Sequence, residues 1–172
     1  EDPATMAATR ELALQLDKRG KYEYAAQLYE DLVKALPEDK AVGYRCVELM
    51  VHTGQVVKAE KLLVQVIDQF GHDDSTYILE AMIATEMGDA SRALEALDKA
   101  ENIKPQRAMI YFIRARLLSM IHGREQEARQ QAGRALERDP NMGAARLLTA
   151  RLLVRMGDLA SAKSELISII ND

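Results

Sequence analysis

The residues able to do acid–base, nucleophilic or metal chemistry are few in this sequence, and their spacing does not assemble them. His52, His72 and His122 fall far apart, without the i, i+4 pairing that sets two imidazoles on one helical face around a metal. The run His72-Asp73-Asp74-Ser75 offers two carboxylates but lacks the glycine and later Glu of a calcium loop. An N-cap with favourable charge at a helix start is expected there instead. Cys46 is the single cysteine, which excludes an internal disulfide or a cysteine-cluster metal site. It sits in YRCVELM with nothing beside it to lower its pKa, as a small core hydrophobe would. Each turn glycine stands alone between helical stretches and terminates a helix rather than cradling phosphate. No catalytic residue, metal ligand or cofactor is expected.

The elements that carry these residues are helices. Ala, Leu, Met, Glu, Gln, Lys and Arg dominate, Trp is absent, Phe occurs twice, and Gly and Pro are sparse, a composition that predicts an all-α fold. At 172 residues the chain is the size of one domain. Its fully apolar runs are only a few residues long, far short of the ~18 needed to span a membrane. The first residues, EDPATMAATRELAL, lack the basic start and apolar run of a signal or transit peptide. Without an initiator Met, the chain reads as a piece of a longer protein. Its compartment stays open between cytoplasm and periplasm. The net charge of −4 argues against nucleic acid as a partner. Residues 1–86 carry 9 Lys and Arg against 16 Asp and Glu, whereas 87–172 carry 14 against 11, so the two halves offer different surfaces.

A fixed period organises the chain. Gly20, Gly54, Gly88, Gly123 and Gly157 are spaced by 34, 34, 35 and 34 residues. Five residues after each stands Ala25, Ala59, Ala93, Ala128 or Ala162, a small residue suited to a close helix crossing. Tyr29, Leu63, Leu97, Ala132 and Leu166 follow, then Leu32, Val66, Ala100, Ala135 and Ile169, which completes one apolar helical stripe. Pro37, Pro105 and Pro140, with Gly71 in the equivalent place, end that helix.

At these residues the chain resembles the tetratricopeptide repeat family, whose 34-residue unit reads W-x2-L-G-x2-Y, then A-x3-F, then P. The second half of the motif matches. The first half departs from it: the Trp is absent throughout, and the small residue of the first helix is Ala13, Val47, Ala81, Ala115 or Ala150. The one extra residue near His122-Gly123 falls in a turn, where insertion costs little. The resemblance implies a right-handed superhelical solenoid of helical hairpins, a single array over 1–172. Its repeats run at about 6–39, 40–73, 74–107, 108–142 and 143–172, the last truncated or uncapped. Helices are expected at 5–18 and 22–36, 39–53 and 56–70, 73–87 and 90–103, 106–121 and 124–138, 141–156 and 159–170. RNA-reading pentatricopeptide repeats would need a basic groove and a 35-residue step, which occurs once.

The resemblance also implies where a partner would bind: the concave face, lined by the first helix of each repeat. Repeats one and two place Arg10, Glu11, Tyr44, Arg45 and Glu48 there, a mixed polar face. Repeats three to five place Ile78, Leu79 and Met82, then Met109, Phe112, Ile113 and Arg116, then Leu147, Leu148, Arg151 and Val154. With Arg155 close by, this is an apolar surface dotted with arginine, of the composition found in binding sites. Two readings stand open. These side chains either hold a peptide or partner helix that is apolar with some acidic residues, or pack against neighbouring helices of the chain. Glu80 and Arg114, at equivalent positions, are either an inter-repeat ion pair or two solvated charges. The carboxylate clamp of chaperone-binding relatives, K-x3-N, N, K-x3-R, survives only as Arg10, with Leu14, Arg45, Ser75 and Leu79 elsewhere. A non-catalytic scaffold within a larger assembly is therefore expected, by analogy of fold one of bacterial secretion, envelope or polysaccharide export. Self-association through the Ile-rich last helix, or a regulatory module attached to an enzyme in the same parent chain, are the alternatives.

Overall fold

The computed structural model describes residues 3–171. They form ten helices: α1 (Pro3–Lys18), α2 (Tyr22–Ala35), α3 (Lys40–His52), α4 (Val56–Phe70), α5 (Asp74–Glu86), α6 (Ala90–Ile103), α7 (Ala108–Ser119), α8 (Glu125–Arg138), α9 (Gly143–Arg155) and α10 (Leu159–Asn171). The fold class is all-α, and each helix end lies within two residues of the position that the sequence predicts. Two compact units divide the chain between Asp89 and Ala90, so α1–α5 belong to one and α6–α10 to the other. No helix among the described residues is long and apolar enough to cross a membrane.

Each hairpin turns on a glycine that ends its first helix. In the second repeat Gly54, at φ +74°, donates its N–H to Val51 O, and Gln55 N–H reaches back to Met50 O at 2.8 Å. This pair of bonds takes up carbonyls that the helix end leaves orphaned, and it recurs after Gly20, Gly88 and Gly157. The fourth turn differs because it holds the extra residue. There α7 stops at Ser119, Ile121 N–H bonds Leu118 O, and Arg124 N–H bonds Ile121 O before α8 begins.

Packing follows the small residues. Ala25, Ala59, Ala93 and Ala128 have no exposed surface and Ala162 has 3%. Their first-helix counterparts Ala13, Val47, Ala81, Ala115 and Ala150 are equally buried. In α8 the buried residues are Ala128, Ala132 and Ala135. Most of the larger side chains that fill unit 2 come from the first helices, among them Ile110, Tyr111, Ile113 and Leu152, with Leu97 from α6. Within unit 1, α3 packs on α2, α4 and α5; within unit 2, α8 packs on α7 and α9.

Unit 1 ties its repeats together through capping aspartates. Asp39 caps α3 by accepting from Ala41 and Val42 N–H, and it pairs with Arg10 from α1. One repeat later Asp73 caps α5 in a reciprocal box with Thr76. Lys40 Nζ (2.7 Å) and the Tyr44 hydroxyl (2.9 Å) of α3 both donate to Asp73 Oδ2. Partial burial opposes its charge, but Lys40, the Thr76 N–H and Tyr44 together hold its carboxyl down at about 2.

The cap and the crossing can each be probed by substitution. A carboxyl whose folded pKa lies below its unfolded value of about 3.9 stabilises the fold above that value, and the contribution is lost as pH falls from about 4 toward 2. Asp73→Asn keeps a cap acceptor but loses the charge, so urea unfolding should show a loss of ~1 kcal/mol at pH 7, after allowance for solvent screening, most of which is gone by pH 2. A variant whose stability follows the parent through that window would refute the assignment. Ala128→Leu should overpack the α7–α8 crossing and cost ~1–3 kcal/mol in thermal unfolding, against ~0.5 or less for Ala144→Leu on the exposed face of α9.

Candidate functional site

The first helices differ in how much of their circumference they leave to solvent. From Ile78 to Thr85 in α5 only Glu80 escapes burial. Ile78, Leu79 and Met82, expected in the groove, are 3%, 5% and 3% exposed. Ile113 on α7 is likewise buried. For these four the structure corrects the expectation of an exposed lining. A helix that is apolar on more than one face is covered on more than one face, so its apolar side chains become core.

What remains open lies in unit 2, on α7 and α9. Met109, Phe112 and Arg116 are half-buried on α7. On α9 the buried residues are Ala145, Thr149, Ala150, Leu152 and Leu153, and the opposite side presents Ala144, Leu147, Arg151 and Val154 to solvent at helical spacing. Leu147 is 39% and Val154 50% exposed. Leu148 is intermediate, packed against the cluster of Leu118, Ala128 and Leu152. Met109, Phe112, Arg116, Leu147 and Arg151 thus have access to solvent. Met120, 63% exposed where α7 ends, was not among the expected residues. It lies in the turn that carries the extra residue, outside the repeat register.

Arg155 has a different role from the one expected. Its guanidinium donates to Ser119 O and to Glu125 Oε1, both at 2.6 Å, tying the end of α9 to the α7–α8 turn. The Glu125 carboxyl lies below its ordinary pKa, held there first by its own backbone N–H and further by Arg155. Arg155 thus braces the face formed by α7 and α9.

A second polar cluster surrounds Tyr111, which is 2% exposed. Its hydroxyl lies 2.8 Å from both Glu101 Oε1 and Pro105 O, and Arg138 stacks its guanidinium 3.9 Å from the ring centroid while donating to Pro105 O. Arg114 is buried and bonds Glu101 at 2.7 Å and Asp98 at 2.8 Å, both on α6. Arg114 is therefore not a solvated charge. These ties join α6, α7 and α8.

The residues that could have carried chemistry are dispersed. His52 stacks on Tyr22 and His72 on Tyr77; His122 is exposed in the fourth turn. Among the described residues no group of three or more His, Cys, Asp or Glu could hold a metal ion. Cys46 is fully buried, and burial first, with Glu30 after it, pushes its thiol up to about 12.

Comparison with known proteins agrees with this architecture. Of solved structures, a thermophilic TPR protein of Thermus thermophilus superposes with a TM-score of 0.83 at 20% identity, over 96% of this chain and 90% of that one. MamA from Desulfovibrio magneticus superposes at 0.59 with 14% identity over 96% and 93%. YrrB, described as a TPR protein with an unusual peptide-binding site, does so at 0.55 with 16% identity over 94% and 82%. The human protein O-mannosyl-transferase TMTC1 is 26% identical over 87 residues, which are 51% of this chain and 10% of that protein. The family profile described as tetratricopeptide repeat matches residues 18–83 and 119–172. With that profile over more than half its length, and with a glycine-terminated hairpin in each period, the chain belongs to the tetratricopeptide repeat family.

Proposed function

We propose that this protein is a non-catalytic interaction scaffold, and that the face of α7 and α9 in unit 2 holds a peptide or partner helix that is apolar with some acidic residues. The observation that carries the reading is the solvent-facing stripe of Leu147, Arg151 and Val154 on α9. Apolar residues at helical spacing on a solvent-facing side suit contact with a ligand. Arg151 stands among these hydrophobes, and residues 87–172 carry an excess of cations, so acidic side chains on the ligand gain attraction at its rim. The brace from Arg155 to Ser119 O and Glu125 holds the face in shape before binding, which lowers the ordering cost. The peptide-binding site ascribed to YrrB lends the reading support by analogy of fold. Placement of this scaffold in a larger secretion, envelope or polysaccharide-export assembly belongs to the same proposal.

A second reading rests on α10. Leu159, Leu166, Ile167 and Ile170 are 65%, 41%, 47% and 82% exposed. The residues equivalent to Leu166 in the earlier repeats, Tyr29, Leu63, Leu97 and Ala132, are buried. Self-association through α10 would cover this apolar face, and Ile170→Lys would suppress it in light scattering.

Peptide display on the whole chain tests the first reading. Selected peptides should combine apolar and acidic residues, and Leu147→Glu or Phe112→Glu should weaken them at least ~10-fold, a loss of about 1.4 kcal/mol, with the helical signal and melting unchanged. Binding that survives both substitutions would remove the α7–α9 face from consideration.

A further inference from the structure

Unit 1 carries a pocket that the scaffold reading does not use. In unit 1, α2 and α4 are the second helices of consecutive repeats, and α3 runs between them. They line an open pocket of about 260 Å³. Its floor is Cys46 and Met50 of α3, which lie on the far side of that helix from Tyr44, Arg45 and Glu48. Val33 and Leu62 form its walls. With its thiol kept protonated by burial, Cys46 behaves here as an apolar group.

The rim is basic. Lys34, Lys58 and Lys61 surround the opening, against one lining carboxylate, Glu30. Three of the nine cations in residues 1–86 therefore gather at one apolar cavity, in a stretch with 16 acidic residues. Their existing partners hold them weakly. Lys34 and Asp31 form an i, i+3 pair with side chains 73% and 67% exposed, and Lys58 Nζ lies 3.7 Å from Glu30.

The repeat itself does not require this chemistry, because unit 2 has an overlapping pocket built differently. Thr149 occupies the place of Cys46, Glu165 that of Leu62 and Glu137 that of Lys34, in a larger cavity of about 670 Å³. The pocket of unit 1 has an apolar floor and three lysines against one carboxylate, whereas that of unit 2 is polar and balances Arg129 and Arg134 against Glu137 and Glu165. Three lysines around an apolar floor suit a ligand that is acidic and carries an apolar side chain.

We propose that the α2–α3–α4 pocket docks an acidic segment of a partner protein, which seats one large apolar side chain over Met50 and places carboxylates on Lys34, Lys58 and Lys61. The size of the cavity matches a single side chain rather than a drug-sized ligand. Within residues 1–86, where acidic residues outnumber cations, the three lysines offer an anionic partner a local site of attraction. This surface is separate from the α7–α9 face, so either proposal can fail alone.

The test uses the whole chain with methyl-labelled methionine and a set of peptides carrying Leu, Phe or Met between pairs of Glu. Binding should shift the Met50 methyl resonance, weaken at least tenfold in the Lys58→Glu/Lys61→Glu double variant, and weaken similarly between 50 and 500 mM salt. Leu62→Glu, which copies Glu165 of the other pocket, should abolish it, while Leu147→Glu should leave it unchanged. Three results would overturn the proposal: no Met50 shift at millimolar peptide, equal binding of peptides with Lys in place of Glu, or a Met50 shift on raising protein concentration without peptide. The last would assign the pocket to a second copy of the chain.

Discussion

Everything in this protein depends on two helices crossing closely once in each repeat. A close crossing demands a small side chain, and the alanine five residues beyond each turn glycine supplies it, buried in every repeat. Once that approach is set, the first helix must provide the bulk that fills the remaining space. The division is clearest in unit 2, where α8 buries alanines and α7 contributes Ile110, Tyr111, Ile113, Leu117 and Leu118. The second helix is then free to vary outside its alanine stripe, and the chemistry of the outer surface is decided there.

Polar ties around these crossings are not repeated as faithfully as the hydrophobic pattern. Unit 1 reuses a capping aspartate gripped from the preceding first helix, by Arg10 at Asp39 and by Lys40 and Tyr44 at Asp73. In unit 2 the equivalent cap positions hold Arg107 and Met142, which have no side-chain acceptor for the helix N–H groups. Its ties run instead through Tyr111, with Arg138 stacked on the ring and Glu101 receiving both the phenol and Arg114. A solenoid permits this, because each repeat is stabilised by its own packing and that of its neighbours, and any tie that joins neighbours will serve. The outer pockets vary for the same reason, since neither Cys46 nor Thr149 is dictated by the crossing.

Much of the fold was legible in the sequence because its cause is local and periodic. Glycine spacing, alanine offsets and terminating prolines determined the hairpins, the helix ends to within two residues, the burial of Cys46 and the role of Asp73 as a cap. Each follows from interactions within one helix or one turn. Tertiary structure decided what those rules leave degenerate. Apolar residues on several faces of a first helix tell that it is buried, but not which face its neighbours cover. Hence Ile78, Leu79, Met82 and Ile113 became core while Leu147 and Val154 stayed in solvent. Arg155 found its acceptors 36 and 30 residues away, and the pocket above Met50 draws its walls from three helices. Such groups meet only when the helices are packed, and no spacing along the chain records the meeting.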